Sequence, residues 1–581
     1  MKSKKSSLVL TLGTAAALAV GGGTAYWFFS QRGAGPADLL VGSEVVPQDA
    51  LMAVSVTTDA GQWQQMREFG TKQSQTALDQ NLAQLRDRFL TANGFNYDKD
   101  IRPWVGKEVT LAFLPAQIPP VTNPPTNPPP ALQQQATIAV LPIQDPLKAK
   151  QVLEQPRTGG GSALTERTYK GVQIRESKGP TLQPFSAAVL DGKFLLVTTD
   201  PKATERAIDT YQGAPSLSST PGYRQSLSKI ATEQPFGKLY VNLPAAAAIT
   251  ATNSGRNLSA ENLAQVQQNQ GLAATMKLEP EGIRFQSVSW LKPDSQKRYE
   301  VQNSARSMPE RLPADTLIMA SGGNLQKFWQ DYSQGASANP ISPINPEALR
   351  SGLQSTVGLD LDKDLLAWMD GEFSLALVAA PAGEPANLPF SLVFMVKASD
   401  RRAAEKSLTQ LNQAMTERYK FKVEESKVGN QTVTNWVLPA GGPAITYGWL
   451  SGDVVFLTLG APIAASLVPQ PANSLANSPV FQKTVPTKPN PNNGHFFVNV
   501  ERAINAKSLP LFPLPPANRD LIAAVQSIGV TAAISDDRTA RYDVFAAIQK
   551  AGKPNPLPSP QVPAASPPPA EPVPVSPSPS P

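Results

Sequence analysis

Cysteine is absent from the 581-residue chain, and histidine occurs once. The first absence excludes disulfides, thiolate metal centres, iron–sulfur clusters and cysteine nucleophiles together. The second excludes any site built on two histidines, zinc pairs included. Acidic residues are missing from the first 35 positions, where Lys2, Lys4, Lys5 and Arg32 are the only charges. Setting those four aside from the 52 Lys and Arg leaves 48 against 46 Asp and Glu, so the body is almost neutral. The pI near 9.2 therefore reports topology. A nucleic-acid footprint needs a clustered Lys/Arg face, and no run in the body supplies one. No nucleic-acid partner is expected.

Proline is what the chain has in excess: 57 residues, about twice the usual share of about 5%. With 41% hydrophobic residues beside it, this composition predicts a folded body broken by Pro-rich segments, not a disordered chain. At roughly 100–200 residues per domain, the length requires several units.

Ser6 to Phe29 is uncharged and long enough to cross a hydrocarbon layer of about 30 Å. Three lysines precede it, which keeps the N-terminus cytoplasmic and sends the rest across. Tyr26-Trp27-Phe28-Phe29 and then Arg32 follow at the far end, where an interfacial aromatic belt belongs. The competing reading is a signal peptide cleaved at Gly23-Thr24-Ala25. The span exceeds the 7–15 apolar residues of such a peptide, so the expectation is a retained, single-pass anchor with the body exported.

The body repeats itself. Gly94-Phe95-Asn96-Tyr97-Asp98-Lys99-Asp100-Ile101, then Trp104 and Glu108, returns as Gly358-Leu359-Asp360-Leu361-Asp362-Lys363-Asp364-Leu365, then Trp368 and Glu372. Asp49-Ala50-Leu51 matches Asp315-Thr316-Leu317, Asp191-Gly192 matches Ser451-Gly452, and Gly237 to Leu243 matches Gly494 to Val500. Landmarks in one order at near-constant offset indicate a duplicated domain, far longer than a solenoid repeat of about 20–50 residues. The expected organisation is a basic tip and transmembrane anchor over 1–35, a first lobe over 36–305, a second over 306–550 and a Pro-rich tail over 551–581.

Short β-branched and aromatic runs bounded by Gly, Pro or Asp predict strands at 51–57, 108–114, 136–141, 185–190, 194–199, 238–243, 273–278 and 283–290. Asp191-Gly192 is a hairpin signal. Leu78, Leu82, Leu85 and Phe89 fall at helical spacing within 75–91. Asp145-Pro146 and Asp200-Pro201 open two more helices, Asp as cap and Pro in the first turn. Hairpins mixed with strand–helix steps predict an α+β fold of two duplicated lobes, each a mainly antiparallel sheet covered by helices on one side. The Pro-rich stretches 115–130, 335–346, 379–389, 469–491 and 510–516 are expected as exposed extended loops. The tail after Lys550 is expected to be an extended polyproline-like spacer or docking segment.

The anchor, the two units and the Gly-x-Asp-x-Asp-Lys-Asp-[Ile/Leu]-x-x-Trp-x-x-x-Glu signature resemble a cyanobacterial, membrane-anchored family catalogued as domain of unknown function 3352. The resemblance implies an exported, thylakoid-lumenal or periplasmic protein. It implies no activity, cofactor or catalytic residue.

Asn96-x-Asp98-x-Asp100 and Asp360-x-Asp362-x-Asp364 have the one–three–five oxygen spacing of a calcium loop. Ile101 and Leu365 stand where that loop needs Gly, and Lys107 and Gly371 where it needs Glu. The favoured reading is a helix start, with Asp98 and Asp362 supporting it and Trp104 and Trp368 turned into the core. Ser226-Leu227-Ser228-Lys229 fits Ser-x-x-Lys but lacks the companion motifs of penicillin-recognising enzymes. Gly159-Gly160-Gly161-Ser162 lacks the Lys of a phosphate loop and reads as a flexible turn. His495 stands where the first copy has Lys238, so it is expected to face solvent. No catalytic, cofactor-binding or metal-ligating residue is assigned, and no cofactor. The expected function is a non-catalytic scaffold that binds a protein partner. The alternatives are an envelope-acting hydrolase or isomerase using Ser/Lys or carboxylates, and a carrier of an apolar ligand.

Overall fold

The structure is a computed structural model describing residues 39–91, 95–115, 135–154, 163–178, 185–246, 267–338, 345–381, 389–439, 443–505 and 523–560. The expected anchor, most of the 115–130 and 379–389 loops, the Gly159–Ser162 turn, the 510–516 stretch and the tail from 561 lie outside these residues. Among the described residues, no helix is long and apolar enough to cross a membrane.

Among the described residues, twenty strands form one sheet. The first half supplies β1 (Met52–Thr57), β2 (Glu108–Phe113), β3 (Thr137–Pro142), β4 (Ala163–Tyr169), β5 (Val172–Lys178), β6 (Ser186–Leu190), β7 (Phe194–Thr198), β8 (Gly237–Val241), β9 (Asn269–Glu279) and β10 (Gly282–Leu291). The second supplies β11 (Thr316–Gly322), β12 (Phe373–Ala379), β13 (Phe390–Lys397), β14 (Lys422–Val428), β15 (Gln431–Val437), β16 (Pro443–Leu450), β17 (Val454–Gly460), β18 (Gly494–Asn499), β19 (Val525–Asp536) and β20 (Thr539–Ile548). All the pairings among these strands are antiparallel. From one edge the order is β4-β5-β6-β7-β3-β2-β1-β8-β9-β10. From the other it is β14-β15-β16-β17-β13-β12-β11-β18-β19-β20. β10 and β20 pair from Gly282↔Ala547 to Trp290↔Thr539, so the sheet continues unbroken from one half into the other.

Helices α1 (Ala60–Glu68), α2 (Lys72–Phe89), α3 (Pro146–Glu154), α4 (Pro201–Tyr211) and α5 (Tyr223–Ser228) belong to the first half. The second has α6 (Met308–Arg311), α7 (Leu325–Ala338), α8 (Pro346–Thr356), α9 (Arg401–Glu417), α10 (Ala464–Leu467), α11 (Pro479–Thr484) and α12 (Val500–Asn505). The expected cap at Asp200 is present, its carboxylate accepting from Lys202 N at 2.9 Å. Asp145 likewise accepts from Lys148 N at 3.1 Å.

Helices cover both faces of the sheet, not one. Ala203, Ala207 and Ile208 of α4 pack with Leu196 and Ile138 in one core, while Ala149 of α3 packs with Leu195 in another. In the second half Phe456 and Val455 part in the same way, Val455 lying under Ala404 and Leu408 of α9. The reason is in the strands: Phe194-Leu195-Leu196-Val197 and Val454-Val455-Phe456-Leu457 are continuous apolar runs, the pattern of strands buried on both sides.

Further expectations change. The 335–346 stretch is not extended at its ends, because α7 runs on to Ala338 and α8 begins at Pro346. The 469–491 stretch is not an exposed extended loop, because it carries α11 and buries Leu475, Phe481 and Val485. The chain after Lys550 does not leave the body at once. Ala551 N donates to Glu68 O at 2.9 Å, Gln75 Nε2 to Gly552 O at 2.9 Å, and Arg67 Nη2 to Asn555 O at 2.5 Å.

Candidate functional site

A buried polar cluster lies where three first-half strands meet. β1 runs between β2 and β8, and Ser55 sits opposite both Thr110 and Lys238. Side chains two apart share a face, so Glu108, Thr110, Ser55, Lys238 and Tyr240 converge on one side of the sheet. Lys238 Nζ donates to Glu108 Oε1 at 2.9 Å and to Leu39 O at 3.3 Å. Ser55 Oγ donates to Glu108 Oε2 at 2.6 Å. The ion pair is shut away from solvent, with side chains 7% and 3% exposed. Leu40, Leu217 and Tyr223 are buried in the same core.

This arrangement is closed. Both carboxylate oxygens are occupied, and the ammonium is shared between the carboxylate and a carbonyl. A buried pair holds register and costs dearly when one partner is removed, but it offers no open position to a substrate.

The corresponding strands of the second half carry Ser321, Glu372 and His495 in place of Ser55, Glu108 and Lys238. Glu372 turns to backbone instead: it accepts from Arg306 N at 2.7 Å, Ser307 N at 2.8 Å and Met308 N at 3.2 Å, holding the start of α6. The His495 ring is left with Thr531 Oγ1 at 3.2 Å from Nδ1 and the Phe481 ring at its edge. Burial pushes its pKa down to about 4, against a weaker upward pull from Glu372. His495 is therefore half-buried, not turned freely to solvent as expected. Its exchange with lysine reflects one polar position solved in two ways, buried as Lys238 and half-buried as His495.

The two acidic signatures form matching single π-turns, at Tyr97–Ile101 and Leu361–Leu365. Asn96 and Asp360 cap them, accepting from Lys99 N and from Asp362 N and Lys363 N. Asp100 Oδ2 and Asp364 Oδ2 reach back to Asn96 N at 2.7 Å and Asp360 N at 2.8 Å. Each turn is thus closed reciprocally, in the manner of a capping box. Asp98 and Asp362 are not part of that closure: they form ion pairs with Arg102 and Arg350. Trp104 and Trp368 are buried and donate from Nε1 to Asp100 O at 2.6 Å and Asp364 O at 3.0 Å. The carboxylates are spent on backbone and arginine, not gathered for a cation. Among the described residues no group of three or more His, Asp or Glu could hold a metal ion.

Ser226 and Lys229 are not a catalytic couple. Ser226 is buried in α5, whereas Lys229 Nζ forms an ion pair with Asp536 and a 3.1 Å bond to Thr539 Oγ1 across the junction of the halves. The junction also holds what sequence reading missed. Asp543, 2% exposed, takes Arg541 in two bonds of 2.8 and 3.1 Å and Gln286 Nε2 at 3.0 Å. The available signal was a charge directly before an apolar run, Leu239-Tyr240-Val241 after Lys238 and Val544-Phe545 after Asp543.

None of the curated proteins matches the chain. Among solved structures, crystal form III of a protein titled TP0453 covers 43% of this chain and 79% of its own at 12% identity, with a TM-score of 0.23. Form I of the same protein covers 44% and 80% at 10% identity, with a TM-score of 0.24. Likeness that low carries no inference. The family described as "Protein of unknown function (DUF3352)" matches residues 11–548, and the chain belongs to it.

Proposed function

We propose that this is an exported, single-pass, non-catalytic scaffold of the periplasm or thylakoid lumen, built from two copies of one unit and docking an apolar protein partner on its second half. The duplication is supported by the shared strand order of the two halves and by the paired signatures. Export rests on the three lysines ahead of an uncharged span.

One observation carries the docking. Leu375, Leu392 and Leu459 are 45%, 37% and 43% exposed, although they sit on adjacent strands of one sheet face. Phe328 of α7, also exposed, lies tilted against Phe373 at 5.3 Å and extends the strip. The first-half counterparts by strand pairing are Leu111, which is buried, and the polar Thr137 and Thr199. Threonine is the inexpensive choice on a solvated strand, so leucine at two neighbouring positions signals an apolar contact. Confinement to a membrane raises the local concentration of a partner held there, so modest affinity suffices.

Photo-crosslinking from position 392 in intact membranes tests this. A discrete protein adduct is expected from 392, none from position 137, and loss of the adduct in Leu459→Thr. Equal adducts at 392 and 137, or an adduct indifferent to Leu459→Thr, would refute the docking. Release of the intact body by alkaline carbonate would refute the retained anchor.

A further inference from the structure

The aromatic pair beside the buried ion pair differs between the halves in one respect. In the first half Tyr223 and Tyr240 meet edge to face at 5.2 Å. In the second half Phe481 and Phe497 meet in the same way at 5.3 Å. The two pairs occupy corresponding places, each linking the short helix after the Ser-x-x-Ser or Ser-x-x-Asn turn (Ser216, Ser219; Ser474, Asn477) to the strand that carries Lys238 or His495. Ring packing therefore does not require the hydroxyls.

Those hydroxyls are nonetheless buried, and they are orphaned. Tyr223 and Tyr240 are fully buried, Thr220 is 4% exposed, and Tyr223 OH, Tyr240 OH and Thr220 Oγ1 have no hydrogen-bond partner. Thr220 lies beside the Tyr240 hydroxyl, and the Leu40 backbone beside that of Tyr223, but neither contact closes to hydrogen-bond geometry. Burial pushes the Tyr240 pKa up to about 12 and that of Tyr223 higher, so both remain neutral donors. The Glu108 carboxylate is close enough to add to the rise at Tyr223. Trp290 packs 6.3 Å from both rings, its Nε1 already committed to Pro221 O at 2.9 Å. An unpaired buried hydroxyl costs about as much as a lost hydrogen bond, and three together are not retained without return.

We propose that Thr220, Tyr223 and Tyr240 form an internal hydration site, where ordered water bridges the three hydroxyls and extends the Ser55–Glu108–Lys238 network into the first-half core. A buried water typically makes about three bonds to polar groups that lack other partners, and the three hydroxyls supply them. The second half, with Phe481 and Phe497 at these places, has a dry counterpart. The first half thus carries a polar interior at the place where its counterpart is apolar.

Tyr223→Phe, Tyr240→Phe and the double variant in the full chain test this, because the same rings pack as Phe in the second half and folding is not at risk. With bridging water, each single change raises the unfolding constant about five- to tenfold, and the double change costs less than the two together because the water is shared. A high-resolution crystal structure shows water within hydrogen-bond distance of Thr220 Oγ1 and Tyr240 OH. If either Phe variant is as stable as the parent or more so, the hydroxyls are true orphans and the proposal fails. Destabilisation with no ordered water in the crystal means that the hydroxyls bond one another directly, and this also overturns it.

Discussion

At Asp364 and Asp100 the side chain closes its own turn by accepting from the backbone N–H four residues earlier. Loss of a cap of this kind costs roughly 0.5–2 kcal/mol. Asp364→Ala should lower stability by that amount in urea melts, whereas Asp362→Ala, which removes a surface pair with Arg350, should stay within about 0.5 kcal/mol. Neither variant should respond to calcium or chelator; a calcium-dependent melting shift in the parent would restore the metal reading. The sequence shows that these turns exist and where the tryptophans go. It does not show which carboxylate closes the turn, because Asp at alternate positions differs only in where the π-turn aims each side chain.

His495 offers a sharper test, since a lone histidine gives a lone signal. Its folded pKa, near 4, lies below the usual value near 6.5 because burial disfavours the imidazolium. Between those values the unfolded chain binds the proton and the native one does not, so stability falls as pH drops from about 6.5 to 4 and then levels off. The full loss is at most about 3 kcal/mol. Denaturation at pH 7 and pH 4.5, compared between the parent and His495→Gln, should show the extra loss in the parent alone. The histidine ring resonance should titrate near 4; a midpoint at 6.5 would place the ring in water.

Among the described elements, β4 and β14 are the two edges of the sheet, and both are heavily charged. Lys422-Val423-Glu424-Glu425-Ser426-Lys427-Val428 presents four charges on seven residues, and Glu166 and Arg167 of β4 pair with Arg175 and Glu176 across the hairpin. Charge on an edge discourages pairing with another chain. Replacing Glu425 and Lys427 together by Val should produce concentration-dependent association on sedimentation, with the parent unchanged under the same conditions. The same charges hid β4 and β5 from sequence reading: with neither face buried throughout, 163–178 lacks the apolar alternation that located β1–β3 and β6–β10. The tight turn at Lys170-Gly171, both at positive φ, was the remaining signal. The Pro-rich 469–491 stretch misleads in the opposite direction. Pro at the first helical position favours a turn, and Phe481 and Val485 fix that turn into the core.

For the whole molecule, the paired turns ahead of Trp104 and Trp368 are legible in the sequence, but the junction is not. Nothing in residues 282–290 or 539–547 says that they pair with each other instead of ending two separate sheets. The pairing has a symmetric centre. Gln286 and Asp543, 257 positions apart, stand opposite one another and are joined by a 3.0 Å bond. Lys229 and Asp536 add a second link. Each half thus lends its last strand as the neighbour of the other's, which leaves no edge there to unfold from. Heating should therefore give one cooperative transition, not two. Asp543→Ala leaves Arg541 and Gln286 facing a buried gap, and breaking such a pair costs roughly 3–5 kcal/mol. The whole transition should move down together, with amide exchange quickening in β1 as well as β11, although neither strand touches residue 543. If calorimetry of the parent resolves two transitions, or if Asp543→Ala speeds exchange in the second half alone, the halves fold independently and the continuous sheet is not the cooperative unit.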